Sequence, residues 1–84
     1  MNEETREIRL KRLRMRAWHR GTKEMDMILG PFSDTGMKDL DAGELDLFEE
    51  LLTEYDQDLY AWFSGQRPRP EGYRALMDKI LPIS

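Results

Sequence analysis

Arg20-Gly21-Thr22-Lys23-Glu24 sets a guanidinium and a carboxylate four positions apart around a glycine, with His19 directly before them. Ionised side chains of this kind make charge-assisted hydrogen bonds, the stronger class of polar contact, and so suit recognition of a partner surface. They suit catalysis less well. Acid–base chemistry near neutrality relies on a titratable group with an orienting neighbour, and His19 is the only histidine in the chain. A lone histidine closing a basic helix reads as a cation at the helix C-terminus. The chain has no cysteine, phosphate-binding glycine loop or nucleophile motif. Asp39, Asp41 and Glu50 match positions one, three and twelve of a calcium loop, but Glu44 stands where that loop needs glycine.

The five residues also have plain structural duties. Arg20 complements the C-terminus of one helix, Gly21 supplies a positive φ, and Glu24 sits in the first turn of the next. The elements on either side follow from periodicity. Asn2 is the expected cap of helix one, with Glu3 and Glu4 in its first turn. Its apolar residues form two stripes, Leu10/Leu13/Ala17 and Ile8/Met15/Trp18, which predict a helix gripped from two sides. Met25, Ile28, Leu29 and Phe32 define helix two from about Thr22, which Gly30-Pro31 should end or kink before a turn over residues 33–36.

Asp41 and Glu44 form a capping box for helix three, Leu40 and Leu45 its hydrophobic staple, and Leu45, Phe48, Leu51, Leu52 and Tyr55 its inward face. Asp56 or Asp58 caps a short helix four that Ser64-Gly65 closes. Trp62 in that helix is expected in the core with Phe48 and Leu59. Arg67-Pro68-Arg69-Pro70 runs extended, and Tyr73, Leu76, Met77, Ile80 and Leu81 make helix five. No segment alternates with period two. The expected fold is all-α, a compact five-helix bundle whose sequential helices are neighbours, forming one domain over residues 1–84.

The net charge of −4 hides a segregation. Residues 1–24 carry eight basic and four acidic groups, residues 25–64 one and eleven, and residues 65–84 four and two. The arginines of helix one could contact phosphates, which keeps a small helical nucleic-acid-binding or regulatory adaptor as the competing reading. Eleven acidic groups between residues 25 and 64 would repel a polyanion, and no recognition-helix pattern is visible. No apolar run is long enough to span a membrane, and the glutamates among the first seven residues argue against a presequence. A bacterial cytoplasmic monomer is the expectation.

His19-Arg20-Gly21-Thr22-Lys23-Glu24-Met25-Asp26, then Pro31-Phe32, then Asp58-Leu59-Tyr60-Ala61-Trp62, resembles the RGxxE family of succinate dehydrogenase assembly factors, the flavinators. The match in order and spacing runs through nearly the whole chain. The resemblance implies a five-helix bundle that binds the flavoprotein subunit of succinate dehydrogenase, and that of the similar fumarate reductase. It implies that the factor promotes covalent attachment of FAD to a histidine of that subunit. The bond would form autocatalytically within the flavoprotein while the factor, no enzyme itself and holding no FAD stably, maintains a favourable domain arrangement. By motif matching, Arg20, Gly21 and Glu24 are the partner-binding triplet near the flavin site, with Asp26 in the matching flank. Many relatives carry two arginines before the glycine. Here the first is His19, which is a cation only when protonated.

Overall fold

Thr5 opens the first helix. Its backbone is extended, and its side-chain oxygen accepts the Ile8 amide at 3.2 Å, capping α1 (Arg6–Trp18). The computed structural model describes residues 4–82, so Asn2, expected as this cap, lies outside the described residues. Glu4 precedes the helix. Leu13 and Ala17 are fully buried and Leu10 packs at the edge of the core. The second stripe is gripped only at Trp18, which is half-buried against Gly30; Ile8 and Met15 are 55% and 65% exposed. The reason lies in the arginines beside them, which join α1 to the rest of the molecule through ion pairs instead.

α2 (Lys23–Thr35) starts where expected, with Thr22 Oγ1 accepting the Met25 amide at 3.3 Å. It does not stop at Pro31, which lies inside the helix. Proline normally forces its predecessor out of helical geometry, partly through that residue's Cβ, and here the predecessor is Gly30, which has none. Ser33 Oγ donates to the Gly30 carbonyl at 2.6 Å and Thr35 Oγ1 to that of Pro31 at 2.9 Å, and burial of Leu29, Phe32 and Ser33 keeps the helical phase across the proline. The residues expected as a turn, 33–35, therefore belong to the helix, and Gly36 ends it.

A single 3-10 turn (Met37–Asp39) leads into α3 (Ala42–Leu51). Both halves of its capping box are made: Asp41 Oδ1 accepts the Glu44 amide at 2.8 Å and Glu44 Oε1 accepts the Asp41 amide at 3.1 Å. Leu40, Leu45, Phe48, Leu51 and Leu52 are buried, but Tyr55 is 75% exposed. The helix ends at Leu51, so Tyr55 falls in the extended segment beyond it and loses the helical phase.

α4 (Asp56–Ser64) has Tyr55 at its cap position, without a side-chain bond, so neither Asp56 nor Asp58 caps it. Gly65 closes it at φ 86°, a left-handed conformation that glycine adopts without steric penalty. The connector to α5 (Glu71–Ile80) is pinned by Arg69, whose side chain is 5% exposed and donates to the Trp62 carbonyl and to Asp78 at 2.7 Å. Tyr73, Leu76 and Met77 are buried, whereas Leu81 leaves the stripe as the helix ends. Trp62 is half-buried, packs against the core that contains Phe48 and Leu59, and pairs with Tyr73, ring centroids 6.1 Å apart.

The five helices of the described residues share one core, in which the Phe32 and Phe48 rings lie 5.6 Å apart. α1 packs on α2 as sequential neighbours, but the remaining close packing is non-sequential: α3 on α5, and α2 on both α4 and α5. The radius of gyration, 12.5 Å, is near the ~12 Å expected of a compact chain of this length. The charge blocks meet face to face. Arg9 pairs with Asp46 at 2.6 Å and Glu49 at 3.1 Å, and Arg12 with Glu4 at 2.8 Å and Glu49 at 2.9 Å. Arg14 pairs with Asp34 at 2.7 Å. The Arg12 guanidinium, opposed in part by burial, holds the Glu49 carboxyl below its ordinary range, and Arg9 adds to the effect.

Candidate functional site

The corner between α1 and α2 is built on Arg20. Its side chain is only 11% exposed and reaches across the molecule to the junction of α3 and α4. Nη1 donates to the Leu52 carbonyl at 2.5 Å and Nη2 to that of Glu54 at 2.7 Å, while Nε donates to Asp56 Oδ1 at 2.8 Å. Arg20 therefore does complement a helix C-terminus, but that of α3 rather than its own. The planar fork of guanidinium donors matches this set of fixed oxygens, whereas a lysine ammonium would be a point charge on a flexible stem.

Asp56 answers with both oxygens. Oδ1 takes Arg20, and Oδ2 accepts the Thr22 amide at 3.0 Å. Gly21 lies between these contacts, and its role differs from the one expected: Gly65 is the only described residue with positive φ. A Cβ on Gly21 would instead fall 3.0 Å from Asp56 Oδ2, closer than ordinary van der Waals contact. Asp26 completes the turn by accepting the Arg20 amide at 2.7 Å. The Glu54 side chain carries the network to α5, since Tyr73 donates its phenolic hydrogen to Glu54 Oε2 at 2.7 Å. Burial, reinforced by that carboxylate, pushes the Tyr73 phenol well above its ordinary pKa.

Two of the expected site residues face outward. Glu24, in the first turn of α2, is exposed, and no hydrogen bond to its side chain is made among the described residues. It borders a shallow groove of about 410 Å³ with Lys23, Met27, Ile28 and Tyr60. Met27 and Tyr60 are 59% and 41% exposed, so a free carboxylate sits beside apolar surface. His19, also exposed, has Nδ1 2.7 Å from the Met15 carbonyl, which fixes a proton on that nitrogen because a carbonyl only accepts. A second shallow groove, about 350 Å³, joins His19 and Arg20 to Met15 and Arg16.

The arrangement can recognise a surface; it places no acid–base pair around a cavity. Among the described residues no group of three His, Asp or Glu side chains is disposed to hold a metal ion, and no helix is long and apolar enough to cross a membrane. The five residues singled out in the sequence thus divide. Arg20 and Asp26 are bonded into the corner, Gly21 is exposed on it and leaves room for the Asp56 carboxylate, and Glu24 and His19 are its outward groups. Asp56 and Met27 are not among these five, and Tyr60 stands in the sequence only within the Asp58–Trp62 stretch that carries the resemblance. For Asp56 the one signal was a surplus, two aspartates where a helix needs a single cap.

A family described as "Flavinator of succinate dehydrogenase", Sdh5, matches residues 11–83, which include the whole corner and its Asp56 clasp. The chain belongs to this family. Among curated relatives, the mitochondrial succinate dehydrogenase assembly factor 2 of Mycosarcoma maydis is 38% identical over 82% of this chain and 29% of its own length. The FAD assembly factor SdhE of Acetobacter pasteurianus is 38% identical over 82% of this chain and 63% of its own length. That of Pseudomonas aeruginosa is 38% identical over 90% of this chain and 95% of its own length. The chain therefore spans less than two thirds of some of the relatives it matches and nearly the whole of another.

Proposed function

We propose that this flavinator-family protein binds the flavoprotein subunit of succinate dehydrogenase and promotes covalent attachment of FAD to it, without itself being an enzyme. The observation that carries the reading is the exposed Glu24, without a hydrogen-bond partner among the described residues, on a corner held from behind by Arg20. A scaffold presenting that carboxylate beside exposed Met27 and Tyr60 suits a protein partner offering a cation next to apolar surface. His19 and the backbone of the Arg20-Gly21 turn lie on the same corner and extend the proposed contact. Of the helix-one arginines on which nucleic-acid binding would draw, Arg9, Arg12 and Arg14 are paired with Asp46, Glu49, Glu4 and Asp34, which weighs against that competing role.

In this reading residues 1–84 act as one domain and as a monomer in the bacterial cytoplasm, with no membrane or nucleic-acid partner and no stably bound FAD. The flavoprotein of fumarate reductase is proposed as a further client. The experiment is to produce the succinate dehydrogenase flavoprotein with and without this protein, denature it, and read covalent flavin fluorescence. Wild type raises the signal and Glu24→Ala does not; a signal indifferent to wild type overturns the proposal.

A further inference from the structure

We infer that Asp56, thirty-six positions from Arg20 in sequence, is a positioning residue for flavoprotein binding that acts through the placement of Glu24. The inference rests on the function proposed above and adds a residue to it. The argument begins with how α2 is aimed. Glu24 is the second residue of that helix, so its position in space depends on how the chain turns into the helix. Three bonds fix this turn: Arg20 N–H to Asp26, Thr22 N–H to Asp56 Oδ2, and Met25 N–H to Thr22 Oγ1. Of the acceptors, Asp26 and Thr22 belong to the segment being placed. Asp56 alone is anchored elsewhere, on the first turn of α4.

That anchor is itself restrained. Asp56 has a side chain 14% exposed, and its other oxygen is held by Arg20, whose remaining donors are fastened to the Leu52 and Glu54 carbonyls. The corner is thus referenced to the α3–α4 junction by the Arg20 guanidinium on the two carbonyls and by the Asp56 carboxylate, and only the carboxylate reaches Thr22, the cap of α2. Removing that carboxylate leaves the Thr22 amide without its acceptor and the guanidinium without its counter-charge. The helix can still form on its Thr22 cap, but its first turn is then held only by the buried Met25 and the Arg20–Asp26 bond and can shift against α4. Tyr60, which lies on α4 and shares the groove with Glu24, would then lose register with it.

A buried carboxylate can also matter merely by keeping a protein folded, and calorimetric titration of the purified flavoprotein separates the two roles. Partial unfolding lowers the fraction of molecules that bind; misplacement of Glu24 raises Kd for the molecules that are folded. The variants are Glu24→Ala, Asp56→Ala, Asp56→Asn and Glu24→Ala combined with each Asp56 change, all checked for helicity by circular dichroism. Asp56→Asn retains one oxygen and covers the case in which Asp56→Ala does not fold.

The expected result is about a tenfold rise in Kd for Asp56→Ala, smaller for Asp56→Asn, with full stoichiometry of the folded protein. Each double variant should bind within about twofold of Glu24→Ala alone, because a residue acting through Glu24 has nothing left to act on. Multiplying losses, a change in stoichiometry alone, or wild-type Kd in a folded Asp56 variant overturns the inference. Wild type failing to bind the flavoprotein overturns the proposed function, and this inference with it, an outcome distinct from the other three.

Discussion

The indole of Trp18 lies over Gly30 so closely that a Cβ on that glycine would fall 2.4 Å from a ring carbon. This packing demand adds to the backbone one, since Gly30 is buried inside α2 and also directly precedes Pro31. The indole is restrained on its other side, where Nε1 donates to Asp34 at 3.2 Å. Gly30→Ala would gain at most about 1 kcal/mol of helix propensity, reduced by the clash of its Cβ with Pro31, yet overpack the α1–α2 contact by ~1–3 kcal/mol. The expected net effect is a loss of roughly 1 kcal/mol, or about 4–8 °C in Tm, measured by urea and thermal denaturation. A stabilised variant would show that Trp18 moves aside freely.

Arg20 and Glu24 should separate stability from binding. Arg20→Ala leaves Asp56 buried without its counter-charge and the Leu52 and Glu54 carbonyls without their donor, and should cost about 3 kcal/mol or more. Glu24→Ala, at an exposed position, should change stability by no more than about 0.5 kcal/mol. Flavoprotein binding should be weakened in both, by a rise in Kd of about tenfold or more. Equal melting temperatures for the two variants would contradict the internal role described for Arg20.

Acid should loosen the seam between α1 and α3. Arg12 holds the Glu49 pKa below its ordinary value, so Glu49 contributes stability that is present above the unfolded pKa and lost as pH falls through the depressed folded one. Denaturant midpoints should be steady near neutrality and decline below about pH 4.5, the ordinary value for this carboxyl. In Glu49→Gln that decline should be shallower, with a lower starting stability. An unchanged acid slope would remove Glu49 from the account.

Tyr73 gives the opposite sign. Its pKa is raised from 10.0, first by burial and then by its bond to Glu54, so its contribution is complete below pH 10.0 and lost as pH rises through the folded value. Stability should therefore begin to fall above pH 10.0. Tyr73→Phe should abolish that component and lower stability at neutral pH by about 1 kcal/mol through the lost hydrogen bond. Midpoints in urea measured across alkaline pH would decide it.

Much of the scaffold was legible because its signals are local. The capping box of Asp41 and Glu44, the Thr22 start of α2 and the Tyr73/Leu76/Met77 stripe each need only neighbours within a few positions. The errors have the opposite character. Pro31 remained helical because Gly30 removes the clash and distant burial holds the phase. Ile8 and Met15 stayed exposed because arginines, not side chains from a second core layer, face α3. The corner itself was visible as a motif, but its mechanics were not. Gly21 was expected to need a positive φ, whereas it makes room for a carboxylate arriving from far along the chain. Nothing in the vicinity of Arg20 announces Asp56.

The pairing of Arg9 and Arg12 with Asp46, Glu49 and Glu4 also bears on how quickly the protein finds its partner. Charges that neutralise each other across a seam throw little field into solution, so the segregation along the chain does not become a steering dipole. Encounter should then be governed by diffusion and orientation, at about 10⁵–10⁶ M⁻¹s⁻¹, with slight dependence on ionic strength. Affinity would be set by how slowly the complex comes apart, a lifetime decided at the corner rather than by attraction at a distance.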